Sequence, residues 1–151
     1  MLQSTKPIRR KSKSEPTFLD PASIDTRFYG LQLTGNCLDP EFKDGDLVVF
    51  DRDAKIEAGC FANFFYRAEV VPPGQLSVAL KRVVFAPPPF VKLPFRDHPD
   101  STVIPLVIVE QFNPARQWSI RMSDLLAVHR CLGSASDPSV IAVLEAEGWR
   151  V

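Results

Sequence analysis

Two residues of this chain have the type and the setting for nucleophilic chemistry. Cys37 lies in Gly35-Asn36-Cys37-Leu38-Asp39-Pro40, a run dense in turn-forming residues, and Lys81 lies in Val78-Ala79-Leu80-Lys81-Arg82-Val83-Val84, a run dense in apolar ones. A thiol or hydroxyl nucleophile needs a base to take its proton. A lysine serves only where burial among apolar groups keeps it neutral near neutral pH. The residues around Lys81 supply that desolvation if its side chain faces inward; the competing reading is an edge-strand lysine turned to solvent. A tight turn built from Gly35, Asn36, Leu38 and Pro40 would present side chain 37 and aim backbone N–H groups at a carbonyl oxygen, forming an oxyanion hole.

The surrounding elements must hold these two groups in place. YGLQLTG alternates like a short strand, and DLVVFD is a continuous apolar run ending in the charged turn DRDAK. CFANFFYRAEV reads as the next strand. VVPPGQ punctuates a hairpin, and LSVALKRVVF then places Leu76, Val78, Leu80 and Arg82 on one face and Ser77, Ala79, Lys81 and Val83 on the other. STVIPLVIVEQF reads as another strand after the proline-broken loop APPPFVKLPFRDHPD, and DLLAVHRCL leans to strand over helix. Near the end, Asp137 is a natural N-cap, Pro138 suits the first helical position, and Gly148 closes a short helix. The expectation is a mostly β domain over residues 29–151 with a short C-terminal helix, preceded by a flexible basic arm over residues 1–28.

Composition narrows the classes. A chain of 151 residues, 45% hydrophobic, buries one core, and 14 prolines against 7 glycines argue against an all-helical protein. Residues 1–16 carry Lys6, Arg9, Arg10, Lys11 and Lys13 against Glu15, leaving 13 basic and 17 acidic residues in the remainder. The arm is basic and the body is acidic. The arm is suited to touching nucleic-acid phosphates, although a solvated tail is the plainer reading. No apolar run approaches the roughly 18 residues needed to span a bilayer, and no apolar block marks a secretory signal, so a cytoplasmic protein with no membrane contact is expected. Cys37, Cys60 and Cys131 are far apart and lack CxxC spacing, so no metal and no cofactor is expected, and Cys60 and Cys131 read as free thiols.

The order Gly35-Asn36-Cys37-Leu38-Asp39-Pro40, Asp44-Gly45-Asp46-Leu47-Val48-Val49, Asp51, Gly59 and Leu80-Lys81-Arg82-Val83 resembles the serine-lysine peptidases that include LexA-type repressors and bacterial signal peptidases. In that superfamily a Gly-Asp-Ser-Met-x-Pro turn precedes a Gly-Asp strand, and a later Lys-Arg strand brings the general base. The resemblance covers residues 29–84, with a weaker echo over 99–133. It implies a fold of β-ribbon and small barrel, a dyad of residues 37 and 81, and a homodimer, for which the apolar strands STVIPLVIVEQF and DLLAVHRCL offer material.

Three departures fall at the reacting turn. Asn36 stands for Asp, Leu38 for Met, and Cys37 for the nucleophilic Ser. Leu for Met nearly conserves volume, and Asn keeps a turn-forming side chain. Cys for Ser changes the chemistry: a thiol beside a lysine tends to surrender its proton, giving an ion pair in a site shaped for oxygen, and small misplacements cost about a hundredfold in rate. A self-cleavage bond is also missing, because the chain's Ala58-Gly59 follows the turn and no Ala-Gly precedes it. The expectation is therefore a degenerate peptidase domain acting as a regulatory module of phage or mobile-element (SOS-type repressor) character, holding a peptide segment in its groove or pairing with a copy. The alternative is an active peptidase using Cys37 and Lys81 on another chain. A DNA role would run through the arm or a helix-turn-helix partner. His98 and His129 have no context that marks an imidazole base.

Overall fold

The computed structural model describes residues 18–71, 76–86 and 104–149. Seven strands, β1 (Phe28–Gln32), β2 (Leu47–Asp51), β3 (Phe61–Tyr66), β4 (Val78–Phe85), β5 (Leu106–Phe112), β6 (Ala115–Arg121) and β7 (Leu125–Ser134), precede one helix, α1 (Pro138–Ala146). They form one sheet in the order β1-β2-β7-β3-β4-β5-β6, with every pairing antiparallel. The mostly β expectation is met, and so is the terminal helix. No helix among the described residues is long and apolar enough to cross a membrane.

Alternation along the strands feeds two hydrophobic cores. Ala62 and Phe64 of β3 join Val83, Val107, Val109 and Leu125 in the larger one. Phe61 packs with Leu80, Leu38, Phe42, Val48 and Phe50 in the other. Successive strand residues face opposite sides, so a single residue's shift in register would exchange the two sets. Full burial of each large apolar side chain contributes ~1.5–3 kcal/mol, which fixes that register. On β4 the two-face reading holds, with Leu80 in one core and Val83 in the other.

Asp137 caps α1 by accepting from the Ser139 N–H, with Pro138 in the first turn and Gly148 at φ 88° beyond the end. The helix lies close to the sheet at Gly133, where an added Cβ would stand 3.0 Å from Val140. Residues 18–28, assigned from sequence to the arm, make defined contacts with the body. The Leu19 N–H donates to Ser77 Oγ at 2.9 Å, the Arg27 guanidinium bridges Asp51 and Glu147, and Phe28 is buried against the Trp149 ring. The basic cluster Lys6 to Lys13, the Pro-Pro-Gly hairpin punctuation and most of the proline-broken loop lie outside the described residues. The strand β6 was not anticipated from the sequence. The two strands offered for dimer pairing, β5 and β7, are both internal to the sheet, so their edges are already occupied.

Candidate functional site

The turn around Cys37 is fastened at four points. Gly35 adopts φ 92°, a conformation that favours glycine, and its N–H donates to Asp44 Oδ1 at 2.7 Å. The Asp39 N–H donates to the Asn36 carbonyl at 3.1 Å, and the N–H groups of Glu41 and Phe42 donate to the Leu38 carbonyl at 2.8 and 3.2 Å. Leu38 is 4% exposed and plugs the turn into the core beside Phe42, Phe50 and Leu80. Finally, the Cys37 carbonyl accepts from the N–H groups of Phe112 and Asn113 at 2.8 and 2.9 Å, which ties the turn to the tip of the β5–β6 hairpin. None of these bonds uses the N–H of Cys37 or Leu38. Among the described residues both donors are thus left for a ligand's carbonyl oxygen.

Lys81 lies on β4 opposite Ala62. Its Nζ donates to Gln111 Oε1 at 3.1 Å, and Gln111 is the residue immediately before Phe112. Burial drives the Lys81 pKa below its ordinary value, the Cys37 sulfur opposes that shift, and the Arg116 guanidinium adds to it. Desolvation thus acts on this lysine in the direction a general base requires.

Cys37 and Lys81 line one cavity of about 480 Å³, together with Gly35 and Leu38. Asn36 and Pro40, the other members of the anticipated turn, do not line it; Asn36 acts through its carbonyl inside the turn, and Pro40 follows Asp39 through a cis bond. The cavity runs between Leu31–Gly35, at the end of β1, and the first half of β4. β1 is the terminal strand of the sheet, and among the described residues Val78–Lys81 pair on one side only, with β3. Among the described residues two strand edges without a strand partner therefore flank an apolar groove. Leu19 lines this groove as well, its N–H donating to Ser77 Oγ just before β4.

A second polar cluster lies beneath the groove. The Tyr29 hydroxyl and His129 Nδ1 are 2.6 Å apart, and Asn63 Nδ2 donates to the same hydroxyl at 3.5 Å. Burial pushes His129 down to about 4, with the Arg52 charge adding to the shift, and pushes Tyr29 up to about 12. His129 is therefore neutral at neutral pH and its Nδ1 is engaged. Cys60 and Cys131 are free and buried, and burial pushes the Cys131 thiol up to about 12. Among the described residues no group of three or more metal-ligating side chains assembles.

Sequence reasoning located the turn and the lysine but missed what joins them. Gln111, Phe112 and Asn113 form the hairpin tip that holds both groups, and Arg116 and Trp118 stand beside Lys81 on β6. The signal was present in Asn113-Pro114 followed by the alternation Arg116, Trp118, Ile120, which is a turn and a half-buried strand. Comparisons with protein-family models, with curated proteins and with solved structures give no match for this chain.

Proposed function

We propose that this domain is a peptide-binding module of serine-lysine peptidase type in which the nucleophile position is held by Cys37 and turnover has been given up. The groove between the β1 edge and the first half of β4 carries this reading: it offers main-chain partners on two sides and apolar walls from Leu31, Leu33 and Leu80. An extended segment laid there gains backbone hydrogen bonds along both strands and places one carbonyl near the unused N–H groups of Cys37 and Leu38. Recognition needs only the groove. Hydrolysis would also need the sulfur to sit where the smaller oxygen would, and that condition is the one the cysteine breaks.

One observation favours a second reading, an active thiol peptidase: the downward shift of Lys81 by burial in the cavity it shares with Cys37. In that mechanism Lys81 takes the thiol proton, sulfur attacks the peptide carbonyl, the ammonium returns the proton to the amine as the C–N bond breaks, and water then hydrolyses the thioester to free the thiol. One experiment separates the two. A mixture of extended peptides is incubated with wild type, Cys37→Ser, Cys37→Ala and Lys81→Ala, with binding read as protection of Cys37 from iodoacetamide and cleavage read by mass. Saturable protection with intact peptides in wild type supports the module, and cleavage gained in Cys37→Ser marks it as a retired peptidase. Cleavage by wild type, abolished in both alanine variants, establishes the thiol enzyme. Absence of protection at any peptide concentration removes the groove reading.

A further inference from the structure

Across β4 from the groove lies a second cavity of about 390 Å³, walled by Tyr66, Val70, Val71, Arg116 and Trp118 and sharing Lys81 with the first. Its charge is inverted relative to the body beyond residue 16, which carries 17 acidic residues against 13 basic ones. The Arg116 guanidinium lies 4.6 Å from the centre of the Trp118 ring and Lys81 Nζ lies 5.6 Å from it. Among the described residues neither cation forms an ion pair with a carboxylate: Lys81 is hydrogen-bonded to the neutral Gln111 amide, the charges acting on it are Cys37 and Arg116, and the Arg116 guanidinium lies over the indole. Arg82, the neighbour of Lys81 in sequence, pairs with Glu110, so among the described residues the ion pair formed by this part of the sheet does not involve either cation of the cavity.

We propose that this cavity is a carboxylate subsite that takes the acidic side chain of a peptide ligand. A guanidinium offers paired donors that match a carboxylate, and Lys81, beside the same indole ring, supplies a second nitrogen donor. Val70, Val71 and the Tyr66 ring give an apolar lining for the methylene stem of such a side chain. A single carboxylate fits better than a nucleic-acid backbone, because a polyanion is held by a track of cations, whereas the body beyond residue 16 carries 17 acidic residues against 13 basic ones. Occupancy would also act on the neighbouring groove: a carboxylate beside Lys81 favours the ammonium and withdraws the lysine as a base. The subsite stands on its own observations and does not need the groove to be occupied.

The test uses the full chain labelled with ¹⁵N and follows the Trp118 indole N–H resonance, assigned by its persistence in Trp149→Phe. N-acetylglutamate α-amide is titrated against N-acetylglutamine α-amide, a pair that differs only in the charged group. The expected result is a saturable shift of the Trp118 resonance with the glutamate compound, half-complete at a concentration at least about tenfold lower than for the glutamine compound, with the preference lost in Arg116→Gln. Arg116 is exposed, so that variant keeps the fold. Equal responses to the two compounds, no response to either, or a preference that survives Arg116→Gln overturns the proposal. So does tighter engagement of a short thymidine oligonucleotide at the same resonance. Because the probe is too small to require strand addition, failure here leaves the peptide-protection experiment unaffected, and failure there leaves this one intact.

Discussion

Lys81 and His129 are both bases held below their ordinary pKa by burial, yet their surroundings give them opposite uses. Lys81 opens on two cavities and, among the described residues, has the neutral Gln111 amide as its hydrogen-bond partner. His129 is enclosed, with the Phe65 and Tyr29 rings centred 4.9 and 5.6 Å away and its Nδ1 taken by the tyrosine hydroxyl. The contrast teaches that desolvation alone does not mark a reactive group. Desolvation beside a cavity leaves the group within reach of a ligand, and desolvation within packed rings serves to specify how the sheet is assembled.

Variants can break or sharpen this contrast. The largest effect is expected where the open site is fastened to the closed core. Leu38→Ala should lower stability by about 3–4 kcal/mol in urea unfolding, because the turn loses its plug and a cavity opens among aromatic rings. A loss below 1 kcal/mol would mean that the turn is held by its hydrogen bonds alone.

The enclosed base should dominate the acid side of the stability profile. With His129 at about 4 in the folded protein and near 6.5 when unfolded, the unfolded chain binds the extra proton first as pH falls. Stability is then complete above about pH 6.5, declines to about pH 4, and levels off below it, a total of about 3 kcal/mol at about 1.4 kcal/mol per pKa unit. Denaturant unfolding between pH 8 and 4 measures this, and His129→Gln should flatten that part of the curve. An unchanged slope in the variant would assign it to carboxylates.

Removing one hydroxyl tests the cluster more gently. Tyr29→Phe strips both His129 Nδ1 and Asn63 Nδ2 of their partner and should cost about 1–2 kcal/mol, with Cys37 alkylation unaffected. The open base should behave in the reverse manner. Lys81 also sits below its ordinary value, so the unfolded state again binds the proton more readily, and Lys81→Met should leave stability unchanged or raise it by up to about 1 kcal/mol. The same substitution should slow iodoacetamide alkylation of Cys37 several-fold at neutral pH. Gln111→Ala should slow it by a smaller factor through loss of the contact that orients Lys81.

Most strands could be read from the chain because period-two alternation and β-branched runs act locally. β1 to β5 and the α1 cap follow from YGLQL, LVVFD, FANFFY, VALKRVVF, LVIVEQF and Asp137-Pro138, where local preference and tertiary packing agree. DLLAVHRCL was ambiguous because its apolar residues suit either period, and only pairing with both β2 and β3 settles it as β7. β6 escaped because ARQWSIR is polar on its outer face and sits at a sheet edge, where the hydrophobic signal is halved. The spacing of Cys37 and Lys81 pointed to both residues of the candidate site. The bonds that hold them come from residues about 75 positions beyond the turn and 30 beyond the lysine, a distance over which sequence pattern carries no register.

The hairpin tip that supplies those bonds has a mechanical consequence. Adjacent backbone positions carry both halves of the site: Gln111 holds the lysine, and Phe112 with Asn113 holds the turn. A displacement of this tip is therefore common-mode. It pulls on the Cys37 carbonyl and on the Lys81 ammonium at the same time, in the way that two instruments on one bench share its vibration. A sliding of β4 against β5, where their pairing begins at Arg82 and Glu110, would instead act on the lysine's side of the site first, and that joint lies one residue from Lys81.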